Sequence, residues 1–111
     1  KLSLSSRNDV NYDLCFYVAN WPSKRIAAWD VLLQASAIEN QAYTIGVNRV
    51  GIDGYKAAYS GHSQVLDPMG DLIATAPENE EGWVEVSLSK SHISSIRKRL
   101  PFLEDSDNFK I

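Results

Sequence analysis

Leu14-Cys15-Phe16-Tyr17-Val18, then a helical stretch from Lys24 to about Gln41, then Tyr43-Thr44-Ile45-Gly46-Val47-Asn48-Arg49-Val50, is the part of the chain that decides the fold. The first run is continuously apolar, of strand length and rich in aromatic and β-branched side chains, which predicts a strand covered on both faces. It breaks at Asn20-Trp21-Pro22-Ser23, where Pro22 fixes the backbone and Ser23 is placed to accept hydrogen bonds from the unpaired amides of a starting helix. In the helical stretch Ala28, Val31, Leu32, Ala35 and Ile38 fall on one stripe, widened by Trp29 and Leu33, while Asp30, Gln34 and Gln41 lie opposite. Tyr43, Ile45 and Val47 then alternate with smaller or polar residues, as strand residues do. A strand, helix, strand unit of this length favours a parallel pair joined by a crossover helix, and so an α/β fold.

Outward from this unit the patterns are shorter. Residues 1–11 are polar and serine-rich and read as a lead-in loop. Downstream, Asp53-Gly54 and Asp67-Pro68-Met69-Gly70 are turn signals on either side of Ser63-Gln64-Val65-Leu66 and before Leu72-Ile73-Ala74-Thr75, which predicts antiparallel hairpins. Trp83 to Leu88 reads as another strand, with Val84, Val86 and Leu88 facing inward. A last helix, about Ser89 to Leu100, carries Ile93, Ile96 and Leu100 on one side and the cations Arg97, Lys98 and Arg99 near its C-terminal end, where they suit the helix dipole. Pro101 stops it. The tail 101–111 keeps Phe102, Leu103, Phe109 and Ile111 among acidic residues and needs a surface to dock on, which predicts a homodimer through this segment.

The 111 residues suffice for one modest core, and 44% hydrophobic with 23% charged residues is a globular composition. A formal charge of −3 argues against a nucleic-acid partner, because displacing counterions from phosphate needs a cationic face. No apolar run is long enough for a membrane-spanning helix. A single cysteine and two histidines, without CxxC or HExxH spacing, predict neither a disulfide nor a metal or other cofactor held by this chain, and a cytoplasmic setting. The chain opens on Lys1 and reads as a piece of something longer.

Few residues offer chemistry on their own. Cys15 sits within the most apolar strand, where a free cysteine is a buried packing residue and not a nucleophile. Gly61-His62-Ser63 places Ser beside His, but Val65 stands where a nucleophile elbow needs its second glycine, so a turn-strand junction is the better account. His92 reads as a solvated helix residue. Asp53, Asp67 and Asp71 each neighbour glycine or proline and are explained by turn chemistry.

Six blocks in order, Tyr12-Asp13-Leu14, Tyr17-Val18-Ala19-Asn20-Trp21-Pro22, Ala35-Ser36-Ala37-Ile38-Glu39-Asn40-Gln41-Ala42-Tyr43, Gly46-Val47-Asn48-Arg49-Val50-Gly51, Tyr59-Ser60-Gly61-His62-Ser63 and Asp67-Pro68-Met69-Gly70, resemble the C-terminal part of the nitrilase superfamily. The resemblance is greatest to its omega-amidase branch. It implies that residues 1–111 are the C-terminal portion of a four-layer αββα sandwich, a mixed sheet with covering helices. The activity implied is hydrolysis of the terminal amide of small dicarboxylic acid monoamides through a cysteine thioester, with Glu, Lys and Cys all expected upstream of Lys1 and no catalytic residue in this chain. Sister amidases, nitrilases and carbamoylases share these motifs, and a non-catalytic truncated or dimerisation segment is the competing class. Asn20 and Trp21 match the family's segment at the carboxyl end of the strand after the nucleophile and are the expected substrate-binding residues, at a place where open α/β sheets form ligand crevices. Ser36 stands where related sequences carry Arg, one turn before Glu39.

Overall fold

Two parallel strands and the helix between them carry the architecture of the computed structural model, which describes residues 12–100. Strand β1 (Leu14–Ala19) leads through a 3-10 turn (Ser23–Arg25) into helix α1 (Ile26–Asn40), which returns the chain to β2 (Tyr43–Asn48). β1 and β2 pair in parallel, with Leu14 opposite Tyr43 and Ala19 opposite Asn48. The hairpin β3 (Val50–Ile52) and β4 (Ala58–Ser60) forms its own two-stranded antiparallel sheet. β5 (Gln64–Leu66) and β6 (Leu72–Thr75) then extend the main sheet antiparallel, giving the order β1-β2-β5-β6. Helix α2 (Lys90–Arg99) comes last. The parallel pair, the crossover helix and the two hairpins are those expected from the sequence.

Which side chains are buried differs from expectation, and the reason is geometric. α1 buries Trp29, Leu33, Ser36, Ala37 and Asn40, whereas Val31 and Ile38 of the expected stripe are exposed. The helix is apolar nearly all round, so periodicity alone does not fix its rotation. What fixes it is the strand beneath. Thr44, Gly46 and Asn48, the small and polar set of β2, turn toward α1 and are buried, while Val47 is exposed on the other face. A Cβ on Gly46 would come within 2.5 Å of Leu33 and 2.7 Å of Trp29, so the absence of a side chain there lets the helix seat on the sheet. Trp29, Leu33 and Ala37 close over Leu66 of β5 to form the core.

Among the described residues β1 is covered on one side only, where the sequence predicts cover on both. Cys15, Tyr17 and Ala19 lie half-buried on the α1 side, with the Tyr17 hydroxyl 3.1 Å from Ser36 Oγ. Leu14, Phe16 and Val18 are 42%, 65% and 75% exposed on the other. Cys15 is therefore half-buried rather than buried. Ser23 caps nothing: the chain enters α1 through the 3-10 turn, and neither helix start there has a side-chain cap. Gln41, expected on the solvent side, ends α1 in a left-handed conformation and is buried, its side-chain amide donating to Leu100 O at 2.7 Å.

Trp83 to Leu88 pairs with no strand among the described residues, and its Val84, Val86 and Leu88 are exposed, so the expected inward face is absent there. α2 forms as expected, with Ser89 Oγ accepting from the His92 amide as its N-cap. Ile93 and Ile96 are buried, but Leu100 is exposed. The Arg97 guanidinium ties the helix to the start of β1, donating to Asp13 Oδ1 at 2.9 Å, Tyr12 O at 2.8 Å and Gln41 O at 3.1 Å. The lead-in loop and the tail, with the dimer contact expected of it, lie outside the described residues.

Candidate functional site

The carboxyl ends of β1 and β2 lie side by side, and Asn48 at the end of β2 ties together the chain leaving β1 and the turn that enters β5. Its Oδ1 accepts the Trp21 N–H at 2.7 Å, and its Nδ2 donates to Trp21 O and Gly61 O, both at 2.9 Å. The Asn48 backbone N–H donates to Ser63 Oγ at 2.9 Å, and that hydroxyl donates back to Asn48 O at 3.2 Å. The carboxamide thus pairs with Trp21 as a neighbouring strand would and holds the Gly61 turn, a role that needs both a donor and an acceptor.

Of the two expected substrate-binding residues, Asn20 is exposed at the end of β1 and Trp21 is half-buried. The Trp21 indole N–H donates to Arg25 O at 2.6 Å, and its ring lies 5.8 Å from that of Trp29, against the edge of the core. A cleft of about 670 Å³ opens beside Asn48, lined by Val47, Asn48, Arg49, Ser63, Glu81 and Trp83 among others. Asn20 and Trp21 are not part of that lining. Trp21 adjoins it through its hydrogen bonds to Asn48.

The charges around this region are organised. The Arg49 guanidinium lies 4.5 Å from the centre of the Tyr59 ring, a cation–π contact, and the Tyr59 hydroxyl donates to Asp53 Oδ2 at 2.8 Å. That bond, assisted by the Ala57 and Tyr55 amides, holds the Asp53 carboxyl below the usual carboxylate range and raises the Tyr59 phenol. His62 has a left-handed backbone, and its ring stands between Asp30 and Glu78. This confirms the turn reading of Gly61-His62-Ser63 and separates Ser63 from the imidazole, since the Ser63 hydroxyl bonds to the Asn48 backbone instead. His92 is not simply solvated: its Nε2 lies 3.0 Å from Asp67 Oδ2. Asp67 also accepts from the Met69 and Asp71 amides, as turn chemistry predicts. Among the described residues no group of His, Cys, Asp or Glu is arranged to hold a metal ion. No helix among them is long and apolar enough to cross a membrane.

Sequence reasoning missed Asn48 and the Asp30, His62 and Glu78 group. Asn48 was visible only as a polar residue interrupting a strand. The acid-histidine group joins positions that no local spacing connects.

The sequence pattern of the carbon–nitrogen hydrolase family matches residues 9–98. The chain belongs to this family. Among curated carbon–nitrogen hydrolases it is similar to the omega-amidase YafV of Escherichia coli K12, 45% identical over 106 residues that cover 96% of this chain and 41% of the relative. It is also similar to a 2-oxoglutaramate amidase of Paenarthrobacter nicotinovorans, 37% identical over 87 residues, or 78% of this chain and 29% of the relative. Its structure resembles that of a hydrolase of the same superfamily from Xanthomonas campestris, solved with an arsenic adduct in the active site, with a TM-score of 0.84 and 40% identity over 90% of this chain and 37% of that one. The mixed sheet with its covering helices is thus part of the carbon–nitrogen hydrolase fold. The chain spans about two fifths of the length of the omega-amidases it matches.

Proposed function

We propose that this chain is the C-terminal part of one hydrolase domain that, when whole, cleaves the terminal amide of small dicarboxylic acid monoamides. The observation that carries the reading is the 45% identity to an omega-amidase across 96% of the chain. A cysteine thiolate from the polypeptide before Lys1 adds to the amide carbonyl; the nitrogen leaves protonated as ammonia; water then cleaves the thioester, releasing the carboxylate and restoring the thiol. Cys15, the one cysteine in the sequence, does not take that part: it sits within β1 on the side facing α1. The exposed Leu14, Phe16, Val18 and Val47 suit the second sheet of a face-to-face sandwich, in keeping with a larger domain.

In this reading Asn20 and Trp21 border the substrate crevice at the carboxyl ends of the parallel strands. The tail 101–111 supplies a dimer contact, the setting is cytoplasmic, and the partners are the amide substrate and a second subunit. The deciding experiment measures ammonia release from 2-oxoglutaramate, a nitrile and an N-carbamoyl amino acid by the complete polypeptide. Release from the amide alone is expected; turnover of the nitrile or the carbamoyl compound in its place would assign a sister activity. The 111-residue chain by itself should release none, because nucleophile, base and oxyanion-stabilising cation act as a unit. Deleting 102–111 from the complete polypeptide should shift its mass in solution from dimer to monomer.

A further inference from the structure

His62 fastens a wall of the cleft although it is not itself in the lining. Its Nδ1 lies 3.2 Å from both carboxylate oxygens of Asp30 on α1, and its Nε2 lies 3.1 Å from Glu78 Oε1 in the segment after β6. Asp30 is held separately, since Gln64 Nε2 donates to its Oδ1 at 2.8 Å. The His62 carbonyl is fixed as well, accepting from the Trp29 indole and from Gln64, each at 2.9 Å. Glu78, in contrast, is 61% exposed in its side chain. Its segment otherwise returns to the body through the Ala76 N–H on Ser63 O and the Asn79 N–H on Ser60 O, both at 2.9 Å. The residues on either side of it, Ala76, Pro77 and Glu80 to Val84, wall the cleft.

A carboxylate only accepts hydrogen bonds, and a neutral imidazole carries a single N–H. A ring between two carboxylates therefore satisfies both only as imidazolium. When the proton is lost, one ring nitrogen turns a lone pair on a carboxylate and that contact becomes repulsive. Asp30, held by Gln64, keeps the remaining N–H. Glu78 is free to turn to water.

We propose that His62 is a positioning residue whose protonation latches the 76–81 segment onto α1 and so sets the cleft wall that continues to Trp83. This goes beyond the amidase reading and does not depend on which amide is cleaved. The charged groups that face the ring are Asp30 from α1 and Glu78 from the latched segment; β5 contributes the neutral Gln64. Burial is the largest single influence and disfavours the charge, but the bonds to Glu78 and Asp30 together outweigh it, so the latched imidazole titrates above an ordinary histidine. A raised value means the latch is complete below the ordinary histidine value of about 6.5 and is lost as pH rises through the latched value.

The test monitors the His62 imidazole resonances and the exchange of the Asn79 amide by NMR in the full chain. We expect a His62 midpoint above that of a free histidine. Opening at Asn79 should rise with pH between the two values, beyond the intrinsic trend and by no more than about tenfold per pH unit, and level off outside them. Glu78→Gln should lower the midpoint and remove that extra rise. His62→Asn, which tolerates a left-handed backbone, should make exchange at Asn79 track the intrinsic trend alone. A midpoint at or below the free value, Asn79 exchange indifferent to it, or an unchanged midpoint in Glu78→Gln would each overturn the latch.

Discussion

Gly46 shows how one missing side chain places a helix. With a Cβ 2.5 Å from Leu33 and 2.7 Å from Trp29, both buried in the core, Gly46→Ala has nowhere to put its methyl group. Urea denaturation should find it less stable by about 1–3 kcal/mol, the usual range for overpacking a filled core. Asn20 gives the opposite kind of test. Its side chain is exposed, so Asn20→Ala should leave stability within about 0.5 kcal/mol while raising KM for the amide in the complete enzyme. Normal kinetics in that variant would remove Asn20 from the crevice. Neither Gly46 nor Asn48 announces its role in the sequence, because each acts through residues far along the chain: Gly46 through a helix laid over it, Asn48 through two turns that only the folded chain brings within hydrogen-bond reach.

Helix α2 is tied at its first turn to the Asp67 turn, with His92 Nε2 3.0 Å from Asp67 Oδ2. Burial of the Asp67 carboxyl is the largest single influence on it and resists ionisation, but the His92 bond and the Asp71 and Met69 amides outweigh it and hold the group below the usual carboxylate range. A lowered value stabilises the folded chain above the ordinary carboxylate pKa of about 4, and that contribution disappears as pH falls through the lowered value. Stability measured from about pH 5 down to pH 2 should therefore fall less steeply in Asp67→Asn than in the parent. Equal slopes would show that folding does not lower the Asp67 carboxyl. The sequence located this helix through Ile93, Ile96 and its cationic end. It missed the Asp67 contact because an exposed histidine on a helix looks the same whether or not a distant turn meets it. It placed a strand at Trp83 to Leu88 because alternation states a preference, while a strand also needs a neighbour with free backbone groups.

At the scale of the molecule, the described residues leave the side of β1 turned away from α1 exposed. Val18 is 75% exposed, so Val18→Lys should change the stability of the 111-residue chain by no more than about 0.5 kcal/mol. In the complete polypeptide, where this face is proposed to meet a second sheet, the same lysine has to be desolvated and should disrupt folding, read as lost cooperativity in thermal unfolding. Full tolerance of the lysine there would show that nothing packs on the face. The apolar run Leu14 to Val18 states in the sequence that both faces of β1 suit burial, and the structure shows that only one is buried by these residues. The sequence by itself determined the parallel strand-helix-strand unit, the turns at Asp53 and Asp67 and the family, because these rest on local periodicity, backbone preference and ordered motifs. The tertiary structure alone decided the rotation of α1, the face of β2 that is buried, the Asn48 junction and the Asp30, His62 and Glu78 contacts. Each of these depends on distance between residues remote in sequence, which is settled only when the helix seats on Gly46 and the hairpins close around it.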